Sequence, residues 1–93
     1  MKIEFTKIGL KELNRVQNKF EDVDDYYGLT ENEQHIMDMM LYVEEGYGEN
    51  EFETLNEFAN EVAEIEYKDP IEGVILIVNK ITTMINQGII VLN

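Results

Sequence analysis

Chemistry in this chain has to come chiefly from carboxylates: twenty Asp and Glu stand against seven Lys and Arg, one His and no Cys. Ser is absent too, so serine and cysteine nucleophiles, disulfides and thiolate metal sites are all excluded. The single histidine, His35, lies between Gln34 and Ile36. A general base needs an orienting partner and a nucleophile, and a metal site needs further ligands; the sequence nominates neither. His35 therefore reads as an ordinary surface or half-buried histidine. Calcium-loop spacing occurs once, with Asp22 and Asp24 at the first and third positions and Glu33 at the twelfth. The fifth position is Tyr26, and the sixth is Tyr27 where such a loop requires glycine; Gly28 comes one residue late. Thr30 followed by Glu33 is also a helix capping box, which explains Glu33 without a metal. Gly46-Tyr47-Gly48 runs into Glu49-Asn50-Glu51, which would repel a phosphate. No catalytic residue, metal or cofactor is expected, and the chain reads as a non-enzyme.

Carboxylates can also act collectively, through their field. Residues 1–20 carry +3, residues 21–69 carry −16 and residues 70–93 carry no net charge, giving −13 in all. Crowded like charge repels itself and costs stability. Acidity can serve solubility alone, but a block this concentrated favours a surface that faces a partner. The candidate contacts are Asp22, Asp24, Asp25, Glu31, Glu44, Glu45, Glu49, Glu51, Glu53, Glu57 and Glu61. Tyr26, Tyr27 and Tyr47 are candidate anchors, because tyrosine offers rigid contact area with a polar tip. Core packing with the hydroxyl at the surface is the alternative for these tyrosines and for Tyr42. Direct nucleic-acid binding is not expected, since it needs clustered Lys and Arg. A DNA regulator using only Lys7, Lys11, Arg15 and Lys19 would be repelled by the rest of the molecule.

The elements that must hold these side chains follow from periodicity. Residues 2–6 alternate and read as a short strand. Leu10, Leu13, Val16 and Phe20 predict a helix over about 8–22, which the acids at 22–25 should end. Thr30 and Glu33 open a second helix, roughly 31–45, with Ile36, Met37, Met40, Leu41 and Val43 as its buried stripe and Gly46 and Gly48 after it. Met37, Met39 and Met40 cannot all face one side, so Met39 is expected exposed or against a second subunit, with a Met-filled core as the alternative. Phe52, Leu55, Phe58, Ala59, Val62 and Ile65 predict a third helix. Its start is either at Asn50 with Glu53 or, preferred, at Thr54 with Glu57. Its wet face carries Glu53, Glu57, Glu61 and Glu64. Asp69-Pro70-Ile71-Glu72 is the strongest helix start in the chain. Ile71, Val74, Ile75, Val78, Ile81 and Ile85 give that fourth helix a stripe, widened by Ile77 and Met84, and Gly88 stops it. Ile89-Ile90-Val91-Leu92 reads as a buried strand pairing with residues 2–6. The expected fold is mainly α (α+β): one domain over 1–93, about four helices and a two-stranded sheet from the two ends of the chain.

Residues 29–92 resemble the winged-helix pattern. Leu29-Thr30-Glu31-Asn32-Glu33 opens a first helix, Thr54-Leu55-Asn56-Glu57-Phe58-Ala59 a short second one, and a long third helix ends in Gly88-Ile89-Ile90. The resemblance implies a degenerate winged helix. It does not imply DNA binding, because the first half of the long helix offers Asp69 and Glu72 and otherwise apolar groups, and a two-stranded wing is missing. In size and charge the chain is similar to small acidic phage proteins that block restriction or CRISPR nucleases. That likeness implies a non-enzymatic inhibitor that fills the cationic nucleic-acid groove of a basic protein or nuclease complex. The alternative is a winged-helix module for protein–protein contact, such as a homodimer with a seam of Ile77, Ile81, Met84 and strand 89–92. The longest apolar run, Val74 to Val78, is too short to span a bilayer, and residues 1–5 do not read as a secretory signal. A soluble cytoplasmic protein with no membrane partner is the expectation, and the absence of cysteine agrees with a reducing compartment.

Overall fold

A computed structural model describes residues 1–44 and 51–93, with Val23 and Glu44 described in backbone only. The order is β1 (Ile3–Phe5), α1 (Lys7–Val23), a 3-10 turn (Tyr26–Gly28), α2 (Glu31–Glu44), α3 (Leu55–Glu66), α4 (Pro70–Asn86) and β2 (Ile90–Leu92). The expected pairing of the two ends is present: β1 and β2 are antiparallel, with Ile3 opposite Leu92 and Phe5 opposite Ile90. Expected ends of α2 at Gly46 and Gly48, and an early start of α3 at Asn50, fall outside the described residues.

Caps set most boundaries. The Thr6 hydroxyl accepts from the Gly9 amide at 2.9 Å and donates to the Gly88 carbonyl, so one side chain starts α1 and ties it to the end of α4. Asp24 closes α1 in the left-handed region (φ 48°), a conformation Asp tolerates better than most residues. Thr30 and Glu33 form the full reciprocal box: the Thr30 amide donates to Glu33 Oε1 at 2.9 Å and the Glu33 amide to Thr30 Oγ1 at 3.2 Å. The later start of α3 holds, with Thr54 accepting from the Glu57 amide at 3.2 Å. Asp69 caps α4 by accepting from the Ile71 and Glu72 amides, with Pro70 at the first helical position. At its far end the Gly88 amide donates to Ile85 and the Ile89 amide to Met84, a Schellman ending that requires the positive φ (75°) of Gly88.

Packing runs from α1 to α2 to α4 to α3, with α3 and α4 the most intimate pair, so α1 and α3 take the two outer positions. The core is made by Ile3, Val16, Ile36, Met39, Tyr42, Phe58, Val62, Ile77, Ile81, Met84 and Ile90, all essentially buried. The rings of Tyr42 and Phe52 sit against Phe58 at centroid distances of 5.5 and 5.0 Å.

Several faces are rotated from the sequence expectation. Leu10 is exposed, because Gly9 takes the inward slot of α1: a Cβ there would lie 1.9 Å from the Ile89 carbonyl oxygen. In α2 the buried line is Ile36, Met39 and Tyr42, while Met37, Met40, Leu41 and Val43 are half-buried. Neighbours on both sides of α2 leave it no single apolar stripe, and Met39, expected outside, lies in the core. In α4 the buried face is Gly73, Ile77, Ile81 and Met84, and Ile71 and Ile75 point away from it. Gly73 lets α4 close on the Tyr67 ring, since a Cβ would meet Tyr67 Cγ at 2.7 Å. Ile77, Ile81 and Met84, expected on a dimer seam, are consumed by the protein's own core.

Candidate acidic interface

The outer face of α3 is the most ordered array of candidate carboxylates. Thr54 fixes the start of the helix, and Phe58, Ala59, Val62 and Ala63 turn its other face inward. At 100° per residue, Glu57, Glu61 and Glu64 fall within a narrow arc opposite those four, and Glu53 precedes them by one turn. All four glutamates are exposed. At 1.5 Å rise per residue, charges along this edge recur every ~4.5–6 Å. A nucleic-acid strand carries one about every 3.4 Å. The edge thus presents about two-thirds of the linear charge density of one strand, on a helical support. Glu57 Oε2 also accepts from the Glu53 amide at 3.3 Å, which holds the first carboxylate against the helix start.

A second group surrounds the 3-10 turn. Asp22, Asp24 and Asp25 are exposed at the end of α1, and Asp25 caps the turn by accepting from the Tyr27 amide at 2.9 Å. Tyr27 is 84% exposed and meets the Tyr26 ring edge-on at 5.6 Å. Tyr26 is half-buried, and its hydroxyl donates to Asp38 Oδ1 at 3.0 Å. Burial and the Asp38 charge push this phenol well above its ordinary pKa, so it stays protonated. Tyr26 lines one cleft together with Tyr67, the C-cap of α3, so the C-terminal end of α3 lies near the 3-10 turn. Glu31 is exposed at the start of α2, with Oε1 3.7 Å from His35 Nε2. The candidate carboxylates therefore occupy two stretches, the turn and the α3 edge. Glu51 is exposed beside Glu53 at the far end of that edge. The Glu44 side chain and the whole of Glu45, Tyr47 and Glu49 lie outside the described residues. Tyr42, one of the four tyrosines with core packing as an alternative, is fully buried.

Most cations are spent elsewhere. Glu33, 5% exposed, receives Arg15 at 2.9 Å and Lys19 at 2.6 Å. The Lys19 ammonium, the Thr30 amide and the Arg15 guanidinium bring its pKa down to about 2. Arg15 also binds Glu12 at 2.9 Å, Lys2 lies 4.0 Å from Glu4, and Lys80 binds Asp38 at 3.0 Å. No ion pair among the described residues reaches Glu53, Glu57, Glu61 or Glu64. Lys7 and Lys11 are exposed on α1, at the opposite end of the helix order.

Within the twelve residues of calcium-loop spacing, Asp24 ends a helix, Asp25 caps the turn and Glu33 is held by two cations. No group of three potential metal ligands occurs among the described residues. His35 is half-buried, and its Nδ1 is buried without a hydrogen-bond partner. Two features escaped the list of candidates. Glu64 belongs to the acidic face that the periodicity of α3 had already drawn. The Tyr26–Asp38–Lys80–Tyr42 network had one faint signal, a lysine on the flank of the stripe of α4. Among the described residues, no helix is long and apolar enough to cross a membrane. No protein-family model, no curated protein and no solved structure matches the chain.

Proposed function

We propose that the protein is a non-enzymatic inhibitor that lays its acidic α3 edge in the cationic nucleic-acid groove of an enzyme, of the kind phages direct against restriction or CRISPR nucleases. One observation carries the reading: Glu57, Glu61 and Glu64 are exposed on one edge of α3, with Glu53 exposed just before its cap, and no ion pair among the described residues reaches them, while Arg15, Lys19 and Lys80 neutralise Glu33 and Asp38 inside the fold. Carboxylates committed to stability would sit near those cations. A groove that binds phosphate would instead attract this edge, with fast, salt-sensitive association. Tyr27 and the aspartates of the turn extend the contact beyond the C-terminal end of α3.

The test is inhibition of nucleic-acid cleavage by restriction and CRISPR nuclease complexes. The comparison is the native protein against Glu53→Lys/Glu61→Lys/Glu64→Lys, with Glu57 kept because it closes the first turn of α3. Inhibition should be strong at low salt and weaken as salt rises, and the triple variant should lose it by at least about a hundredfold. Full inhibition by the triple variant would refute the proposal.

A further inference from the structure

We infer that the α3–α4 corner is a docking surface for a cationic amphipathic protein segment, with apolar side chains of the partner seated on Ile71 and Ile75. The inference rests on the partner-docking reading of the acidic edge and names the chemistry of what meets its C-terminal end. Ile71 is 79% exposed and Ile75 59%, and four-residue spacing puts them on one face of α4. Neither packing nor local structure accounts for them. The core is served by Gly73, Ile77 and Ile81, and a β-branched residue on an exposed helix face is a poorer helix former than Ala, Glu or Lys. Ile65, in the last turn of α3, is 65% exposed as well. Asp69 and Glu72, exposed at the start of α4 within two residues of Ile71, give this spot an acidic rim; over 61–79 the chain also exposes Glu61, Glu64 and Glu66, with Lys68 as its single cation.

An apolar spot within an acidic rim selects its occupant. Nucleic acid and anionic lipid headgroups would be repelled by the rim. A second copy docked face to face would bring the same acids against each other. A segment with apolar residues one helical turn apart and Lys or Arg beside them satisfies both spot and rim.

The experiment titrates the full chain with two synthetic helical peptides of equal positive charge, one pairing Lys with Leu at helical spacing, the other with Ser for Leu. Affinity is read by fluorescence anisotropy, the location by amide shifts, and mass by light scattering. The Lys/Leu peptide should bind at least about tenfold tighter than the Lys/Ser peptide and shift amides from 64 to 76. Ile71→Ser/Ile75→Ser, exposed and therefore expected to fold, should lose that advantage. Equal binding of both peptides, binding of neither, or an unchanged double variant would overturn the inference. So would a dimer of the free protein that the double variant dissolves, which would give the face to a second copy. The nuclease test separates the two ideas: inhibition lost in the triple glutamate variant but kept in Ile71→Ser/Ile75→Ser upholds the acidic reading even where the peptides show no preference and the corner fails.

Discussion

Glu33 shows how a single carboxylate in an acidic chain becomes structural. It lies beneath Arg15 and Lys19 and also closes the capping box of α2. Its pKa is lowered in the folded state, to about 2, from an unfolded value near 4.5. Its contribution is therefore complete above the unfolded value and disappears as pH falls from about 4.5 through about 2. Glu33→Gln keeps a capping side chain but loses the charge, and should cost about 1–2 kcal/mol at pH 7. Thermal melts of both proteins across pH should show a gap of about 10 °C at neutrality that closes near pH 2. A gap independent of pH would mean that the cations do not hold Glu33. At Gly9 the limit is steric: Gly9→Ala drives a methyl into the Ile89 carbonyl and should cost about 2 kcal/mol or more, although Ala is the better helix former. Urea denaturation reads that loss directly. The capping box could be seen in the sequence, because it is a local pattern. The two cations on Glu33 could not, because Arg15 and Lys19 are brought there by the packing of α1 on α2.

At the scale of elements, each helix was legible where a cap or a stop residue marked it. Asp69-Pro70 and Gly88 bound α4, and Thr54 with Glu57 starts α3. The face each helix buries was less legible. Ile71, Ile75 and Ile65 look like core residues by type, yet all three are exposed, while Gly9 and Gly73 hold inward slots that no hydrophobic pattern reveals. Periodicity fixes which residues share a face. Close backbone approach decides which face turns inward, and that depends on the partner element. The winged-helix resemblance concerns the order of elements from 29 to 92; the strand after α4 pairs with β1 near the other end of the chain. For α3, like charges three and four residues apart each cost a few tenths of a kcal/mol. Glu61→Lys turns two such repulsions into attractions and should stabilise the protein by about 0.5–1 kcal/mol. Urea denaturation should show the gain while inhibition falls. A destabilised Glu61→Lys would mean that the edge already has a structural use.

Over the whole molecule, the separation of charge matters more than its total. α1, which carries the cations Lys7, Lys11, Arg15 and Lys19, and the acidic helix α3 occupy opposite ends of the packing order, and the net charge is −13. The −16 block was evident from composition along the chain. Its division between the 3-10 turn and the α3 edge was not, since that depends on how the helices associate. Repulsion along the exposed acids is screened more readily than the sheltered Glu33 pairs. Raising NaCl from low to roughly 0.5 M at pH 7 should therefore increase the melting temperature, by about 5 °C. A fall with salt would show that attractive surface pairs dominate. Occupation of a groove also makes a demand that no property of the isolated protein can meet: inhibitor and nucleic acid must exclude one another. The direct measurement is competition on an inhibited nuclease, with labelled protein displaced by increasing nucleic acid. Mutual exclusion makes the apparent inhibition constant rise linearly with nucleic-acid concentration. A stable ternary complex, with nucleic acid still in the groove beside bound protein, would contradict it.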